Sequence, residues 1–311
     1  MLFTASIVLL HSLTAAAAHA EWQHASAVEF QSILHNNNLT LTAFVAPWTP
    51  PCQSLAAEWA IAKSQLPYPL VSIECTAETS VCAAHHVHSY PAIRLFHGVD
   101  EASWTRYKGP RKASSIVPFV KRASLPAVST VYLNNITKLL DIDRLAFMAY
   151  LKEDDSSTRS CFSRVAETFH GQFVFGVTHD AGLTAKENIS FPSIVAHKTD
   201  VGDKDVLTLD AVSERLDMER FVLDASRPLI DELTMRNERN YMSSYKLLAY
   251  IFASTDADRT ALRRELYPLA KLYKEYINFV TIDTKQYGHM AVGLGLSGRE
   301  EDYPAFTVYT A

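Results

Sequence analysis

Three times along this chain an aromatic residue and a proline stand directly ahead of a short apolar run. Tyr90-Pro91 precedes "AIRLF", Phe191-Pro192 precedes "SIVAHK" and Tyr303-Pro304 precedes "AFTVYT". Proline fixes its own φ and has no N–H for a sheet ladder, so such a pair belongs at the entry to a strand. The recurrence falls at about 100 residues, the length of one ordinary domain. Each pair closes a similar passage. In the first round "LTLTAFVAPW" reads as a strand ending at Pro47, and a helix follows from Pro50. Leu55, Trp59, Ala62 and Leu66 fall at helical spacing there and face the sheet. "LVSIEC" is the next strand and "ASSIVPFVKRA" the last helix. After a turn-rich joint, "SLPAVS", the rhythm restarts with strands at "RLAFMAYL" and "FVFGVTH" around a helix over "SCFSRVAETF". A third round begins near Arg227-Pro228, with strands at "KLLAYIFA" and "INFVTID" around a helix over "ALRRELYPLAKLYKEY". The order predicts an α/β chain of repeated layers without close sequence identity between them.

Composition narrows the setting. A chain of 311 residues with 48% hydrophobic content has enough apolar side chains for two or three cores. The formal charge is −5 and Lys and Arg are scattered, which argues against nucleic acid as a main partner. "LFTASIVLLHSLTAAAA" is the one long apolar run, and Ala18-His19-Ala20 supplies a small-residue cleavage pattern. Residues 1–20 therefore read as a secretory leader cut before Glu21, and the run's shortness and His11 count against a membrane anchor. The expectation is a soluble protein of the secretory pathway, with no membrane contact after cleavage. Three N-x-S/T triplets fit that route, at Asn38, Asn135 and Asn188.

Several stretches share one likeness: "FVAPWTPPCQSLAAEW", "ECTAETSVCAAHHVHSYPAIRLFHG", "YKGPRKASSIVPFVKRASLPAVS", "LLAYIFASTDADRTALRRELYPLAK", "INFVTIDTKQYGH" and "YPAFTVY". The chain resembles the amino-terminal part of the protein disulfide isomerases, most of all the fungal ones, over nearly its whole mature length. The resemblance implies an α/β fold of tandem thioredoxin-like domains. Residues 21–124 form one with a degenerate redox motif and 125–226 one without a motif. Residues 227–311 form a partial domain that is the candidate peptide binder, since a full domain adds one more strand and a helix. Family members end on a second redox domain and an HDEL-type retrieval signal, neither of which precedes Ala311. The implied location is the lumen of the endoplasmic reticulum or outside the cell.

The family's redox motif is C-x-x-C at a helix amino terminus. The first cysteine is exposed, its thiolate is stabilised by the helix dipole and free N–H groups, and it attacks substrate disulfides. The second is more buried and resolves the mixed disulfide. Here "WTPPC" puts Thr49 at the attacking position and Cys52 at the resolving one. A hydroxyl has no redox chemistry. As N-cap, Thr49 is expected to accept from the N–H of Cys52 through its Oγ1, a cap worth about 1 kcal/mol. Pro50 and Pro51 are sterically welcome in the first turn but offer a thiolate no N–H. The Glu and Lys that the family places for proton transfer at the resolving cysteine are matched by Ala43 and Ser72, and the Lys that usually follows it by Gln53. An unpaired buried charge costs several kcal/mol, so losing both partners together is what a retired proton relay leaves behind. Arg111 matches an arginine that lowers the pKa of the second cysteine, and reads otherwise as a solvated loop residue. Pro91 matches the cis-proline beside the redox site, whose structural role outlives the thiol.

Cys75 and Cys82 match a pair bridged in related members, so the resemblance implies a structural disulfide worth at most about 3 kcal/mol; two buried thiols are the alternative. Cys161 reads as a core or helix-face thiol. His85, His86 and His88 read as surface decoration, and no metal or cofactor set is assembled. Tyr241, Met242, Tyr245, Met290, Val292 and Leu294 match the apolar pocket with which the family binds peptides, a mixture suited to adaptable contacts, or are plain core positions. Two functions compete. One is a redox-inactive chaperone that binds unfolded or nascent secretory polypeptides. The other is a protein disulfide isomerase with residual thiol-disulfide activity through Cys52.

Overall fold

The computed structural model describes residues 22–98, 102–210, 215–235 and 237–309. The leader expected over residues 1–20 lies outside them. The chain divides into two compact units, Met1–Val117 and Pro118–Ala311.

In the first unit Ser26 opens α1 (Ala27–Asn36) with a reciprocal capping box to Glu29, which satisfies two N–H groups at once. Phe30 and Leu34, one turn apart, form its buried face. β1 (Leu39–Val45) follows and is buried at every position. The chain continues through α2 (Pro50–Gln65), β2 (Leu70–Glu74), α3 (Thr79–Ala84), β3 (Ala92–His97) and β4 (Trp104–Arg106) to α4 (Ala113–Ala123), within which the first unit ends at Val117. β1 is central: it runs parallel to β2 and antiparallel to β3, in the order β2-β1-β3-β4. Burial on both faces explains its apolar run, as for any covered strand. α2 buries Leu55, Trp59 and Ala62 as the helical spacing requires, and Leu66 is its buried C-cap.

On the α1 side, Phe30, Phe44, Ile73 and Phe96 pack with Cys75 and Cys82. Those two cysteines are bonded, with Cα atoms 5.6 Å apart. Closing so short a loop removes unfolded-chain entropy worth about 2.5 kcal/mol. The variant Cys75→Ala/Cys82→Ala is therefore expected to melt about 10 °C lower in residues 22–123, read by calorimetry. An unchanged Tm would show that the bond adds nothing to stability. His85 departs from the surface position read in the sequence. It is buried, with ring centroids 5.6 Å from Phe30, 5.5 Å from Phe44 and 5.4 Å from Phe96. The left-handed backbone at His86 ends α3 sharply and leaves His86 and His88 exposed while His85 faces inward.

The second unit holds two sheets. The first comprises β5 (Ser129–Thr130), α5 (Ile136–Leu140), β6 (Leu145–Tyr150), α6 (Ser156–Thr168), β7 (Val174–Thr178), α7 (Ala181–Glu187), β8 (Ser193–Lys198), β9 (Asp203–Thr208) and α8 (Arg215–Ser226), with strand order β5-β7-β6-β8-β9. The second comprises β10 (Ile230–Glu232), α9 (Glu238–Met242), β11 (Leu247–Ala253), α10 (Asp256–Tyr273), β12 (Ile277–Asp283), α11 (Thr284–Tyr287), α12 (His289–Gly293) and β13 (Ala305–Tyr309), in the order β10-β12-β11-β13. Side chains of Asp155, Asp180 and Thr255 cap α6, α7 and α10. All three aromatic-proline bonds are cis, and each leads into the strand that runs antiparallel beside its central neighbour.

The two sheets are tied by polar contacts. Tyr267 donates to Asp203 at 3.0 Å, Lys271 donates to the same carboxylate oxygen at 2.7 Å, and Arg264 Nε donates to the Asp200 carbonyl at 3.1 Å. β13 pairs with β11 and, among the described residues, carries no strand on its outer edge, where Phe306 and Val308 are exposed. Among those residues no helix is long and apolar enough to cross a membrane. Asn38 and Asn188 are exposed, whereas the Asn135 carboxamide accepts from the Tyr132 N–H at 2.7 Å.

Burial also sets a pH response in the second unit. His197 is buried beside Tyr150, its Nε2 3.3 Å from the phenol oxygen. Burial holds its pKa below the ordinary 6.5, against the pull of Glu187 and with the push of Lys204. A base with a depressed folded pKa is charged more readily when unfolded. Stability is thus intact above about pH 6.5 and falls as the pH drops from there toward the folded value. The urea midpoint of the second unit is expected to fall between about pH 7.5 and pH 5, and His197→Gln to flatten that slope; an equal slope in the variant would assign it elsewhere.

Candidate functional site

Thr49 is the N-cap of α2, with extended backbone at φ −84 and ψ 129. It does not cap as the sequence suggested. Its Oγ1 donates to the Ala46 carbonyl at 2.9 Å. The reason lies in its neighbours. Pro50 and Pro51 have no N–H, and the N–H groups of Cys52 and Gln53 already donate to the Thr49 carbonyl at 3.0 and 3.1 Å. With those donors committed, the hydroxyl turns to an acceptor. Gln53, where a lysine is usual, closes the other side by donating from Nε2 to the Pro47 carbonyl at 3.0 Å.

Cys52 is 1% exposed, and its Sγ lies 3.5 Å from the Ala46 N–H. Beside it Trp48 is 61% exposed, so the motif presents an indole and a hydroxyl while its one sulfur is inside. Pro91 is buried and Arg111 is exposed in the loop ahead of α4. The Glu58 carboxylate of α2 accepts from the N–H of Ala113 at 2.7 Å, fixing the start of α4 against α2.

Register brings the two substituted relay positions together. Ala43 on β1 is the Cα partner of Ser72 on β2, and both are buried. Ser72 is not merely a missing lysine. Its hydroxyl donates to the Gln23 carbonyl at 3.1 Å and lies 2.9 Å from His24 Nδ1, so the ring donates from that nitrogen. The Ala25 N–H adds a bond to the Ser72 carbonyl at 2.8 Å. The segment also sets Trp22 at a tilt to Trp59, with centroids 6.3 Å apart. An anchor for the amino-terminal segment occupies the position that the family resemblance matches to a lysine. Sequence reading missed this partner, because "WQH" precedes the first strand with no pattern to signal it.

The six third-sheet candidates divide. Tyr241, Met290 and Leu294 are half-buried against Leu233, Tyr250 and Phe252. The Tyr241 hydroxyl donates to Asp231 at 2.9 Å, and burial followed by that negative charge holds the phenol well above its ordinary range. Met242, Tyr245 and Val292 are exposed.

Chemically, a lone thiol opens a substrate disulfide only by bonding one sulfur and releasing the other as thiolate. With no second cysteine at position 49, that mixed disulfide persists until an outside thiol resolves it. Burial of Cys52 obstructs even the first step.

Known proteins agree with this architecture. Residues 151–310 match the family described as thioredoxin-like domain, and residues 21–122 match thioredoxin. The chain is 34% identical to the protein disulfide-isomerase of Aspergillus niger, over 90% of this chain and 54% of that protein. It is 35% identical to that of Humicola insolens, over 90% of this chain and 55% of that protein. It thus spans about half the length of these relatives. Human ERp44 form II is similar at 19% identity and a TM-score of 0.41, covering 94% of this chain and 82% of that one. The chain belongs to the thioredoxin-like proteins and, among them, to the protein disulfide isomerase family.

Proposed function

We propose that this chain serves protein folding in the lumen of the endoplasmic reticulum as a redox-inactive binder of unfolded or nascent secretory polypeptides. One observation carries the reading: the motif's first position holds the half-buried hydroxyl of Thr49, bonded to Ala46, and the remaining sulfur, on Cys52, is 1% exposed. The secretory address rests on the leader and the three N-x-S/T triplets. The binding role rests on exposed apolar groups, Trp48 in the first unit and Met242, Tyr245 and Val292 beside the third sheet. Methionine and aromatic side chains in such positions adapt to many apolar partners. The full chain is expected to suppress aggregation of chemically denatured citrate synthase at near-equimolar ratio, equally in wild type and Cys52→Ala. Failure to suppress overturns the binding role, and suppression lost with Cys52→Ala returns the function to the thiol.

A further inference from the structure

The first unit's sheet ends on β4, and a polar row runs across the three strands nearest that edge. Register sets Thr42 on β1 opposite Arg94 on β3, and Arg94 opposite Arg106 on β4. Directly paired residues of antiparallel strands project from one face, so the three side chains share the face that bears Phe44. An arginine opposite an arginine is a cost to the sheet, because like charges across a ladder repel.

Nothing in the first unit offsets that cost. Arg94 is 7% exposed, and its guanidinium carbon lies 3.9 Å from the Trp104 ring centroid and 5.4 Å from that of Phe44. Rings against the faces of a planar guanidinium leave its N–H groups pointing outward in the plane. Nη2 donates to the His86 carbonyl at 3.4 Å, whereas Nε and Nη1 have no partner and are not sealed from solvent. Arg106 is exposed and its fork is unbonded. Among the described residues no carboxylate pairs with either arginine. Burial, followed by the positive charge of Arg106, draws the Arg94 pKa down. Thr42, across from Arg94, is 0% exposed, and its Oγ1 has no hydrogen-bond partner among the described residues. A buried cation facing a second cation is costly to keep without an anion.

We propose that Arg94 and Arg106 form a binding site for a dianionic phosphoryl group at the β3–β4 edge, with Trp104 holding the Arg94 fork in place. The group set selects the ligand class. Guanidinium forks match the oxygens of a phosphate in paired, charge-assisted hydrogen bonds. Two positive charges with no acid beside them match two negative ones, where a carboxylate would leave one unbalanced. An apolar ligand would strand the free N–H groups. The site is independent of the client-binding reading and stands or falls without it.

The test uses the full chain labelled with fluorotryptophan, whose four indoles report separately by fluorine NMR. Inorganic phosphate is titrated at about pH 7.5, where it is mostly dianionic, against chloride of equal ionic strength. The Trp104 resonance, assigned through Trp104→Phe, is expected to shift saturably while those of Trp22, Trp48 and Trp59 stay. Arg106→Gln, a change at an exposed position, is expected to raise the phosphate Kd about tenfold. Acetate is expected to bind more weakly than phosphate. Phosphoserine identifies the source: tighter binding than inorganic phosphate assigns the site to phosphorylated chains, equal or weaker binding to the free ion, and either supports it. A shift that does not saturate or that chloride reproduces, acetate binding equal to phosphate, or an unchanged Kd in Arg106→Gln overturns the site.

Discussion

Thr49→Cys is expected to give a measurable but poor oxidoreductase, about tenfold below an intact C-x-x-C domain, although it restores both sulfurs. The attacking thiolate of such a site depends on free N–H groups in the first helical turn. Here the first two helical positions are Pro50 and Pro51, and the next N–H groups already donate to the Thr49 carbonyl. A sulfur at position 49 would face the Ala46 carbonyl that now binds the hydroxyl. An unassisted thiol titrates near 8.5 and is only about 3% thiolate at pH 7, a deficit that higher intrinsic nucleophilicity recovers in part. Resolution is expected to suffer as well, because Ala43 and Ser72, the positions the resemblance matches to the family's proton-relay pair, carry no ionisable side chain. Adding Pro50→Gly and Pro51→His to Thr49→Cys is expected to raise the insulin-reduction rate severalfold. A full family-like rate from Thr49→Cys alone would show that these surroundings do not limit the chemistry.

The second large effect concerns autonomy. Residues 227–311 expressed alone are expected to self-associate or remain poorly folded, whereas residues 22–123 fold as a monomer. In the first two sheets the strand after the cis-proline is itself paired outward, β3 by β4 and β8 by β9. β13 has no outward partner among the described residues, and Phe306, Val308 and Tyr309 are close to half exposed at 46%, 45% and 47%. A flat apolar edge of this kind templates pairing with another chain. Cutting at residue 227 also removes the contacts of Tyr267 and Lys271 with Asp203 and of Arg264 with Asp200. Against a net stability of about 5–15 kcal/mol, such losses decide folding. Heteronuclear NMR reads the outcome. A dispersed monomeric spectrum from 227–311 would mean that the edge is protected in solution.

Much of this architecture was legible in the chain. The aromatic-proline pairs located three strand entries, and the spacing of Leu55, Trp59 and Ala62 gave the buried face of α2. Short edge elements were less visible. β4 and β10 have 3 residues each, too few for a period to show, and were missed. The cap at Thr49 was misread because capping rules count acceptors and assume a free donor, which two prolines and a committed N–H had removed. His85 was misread because polarity suggested the surface, while three phenylalanine rings surround its imidazole. The anchoring of Ser72 by His24 needed the parallel register of β1 and β2, which no local pattern carries. Likewise Arg94, nearly buried with its guanidinium 3.9 Å from the Trp104 ring centroid, owes its place to a cross-strand neighbour.

The most direct measurement is reductive insulin turbidity with the full chain, wild type against Cys52→Ala. The account predicts identical traces at the uncatalysed rate, because the attacking position holds Thr49 and the remaining sulfur is buried. Catalysis by the wild type that disappears in Cys52→Ala would contradict it.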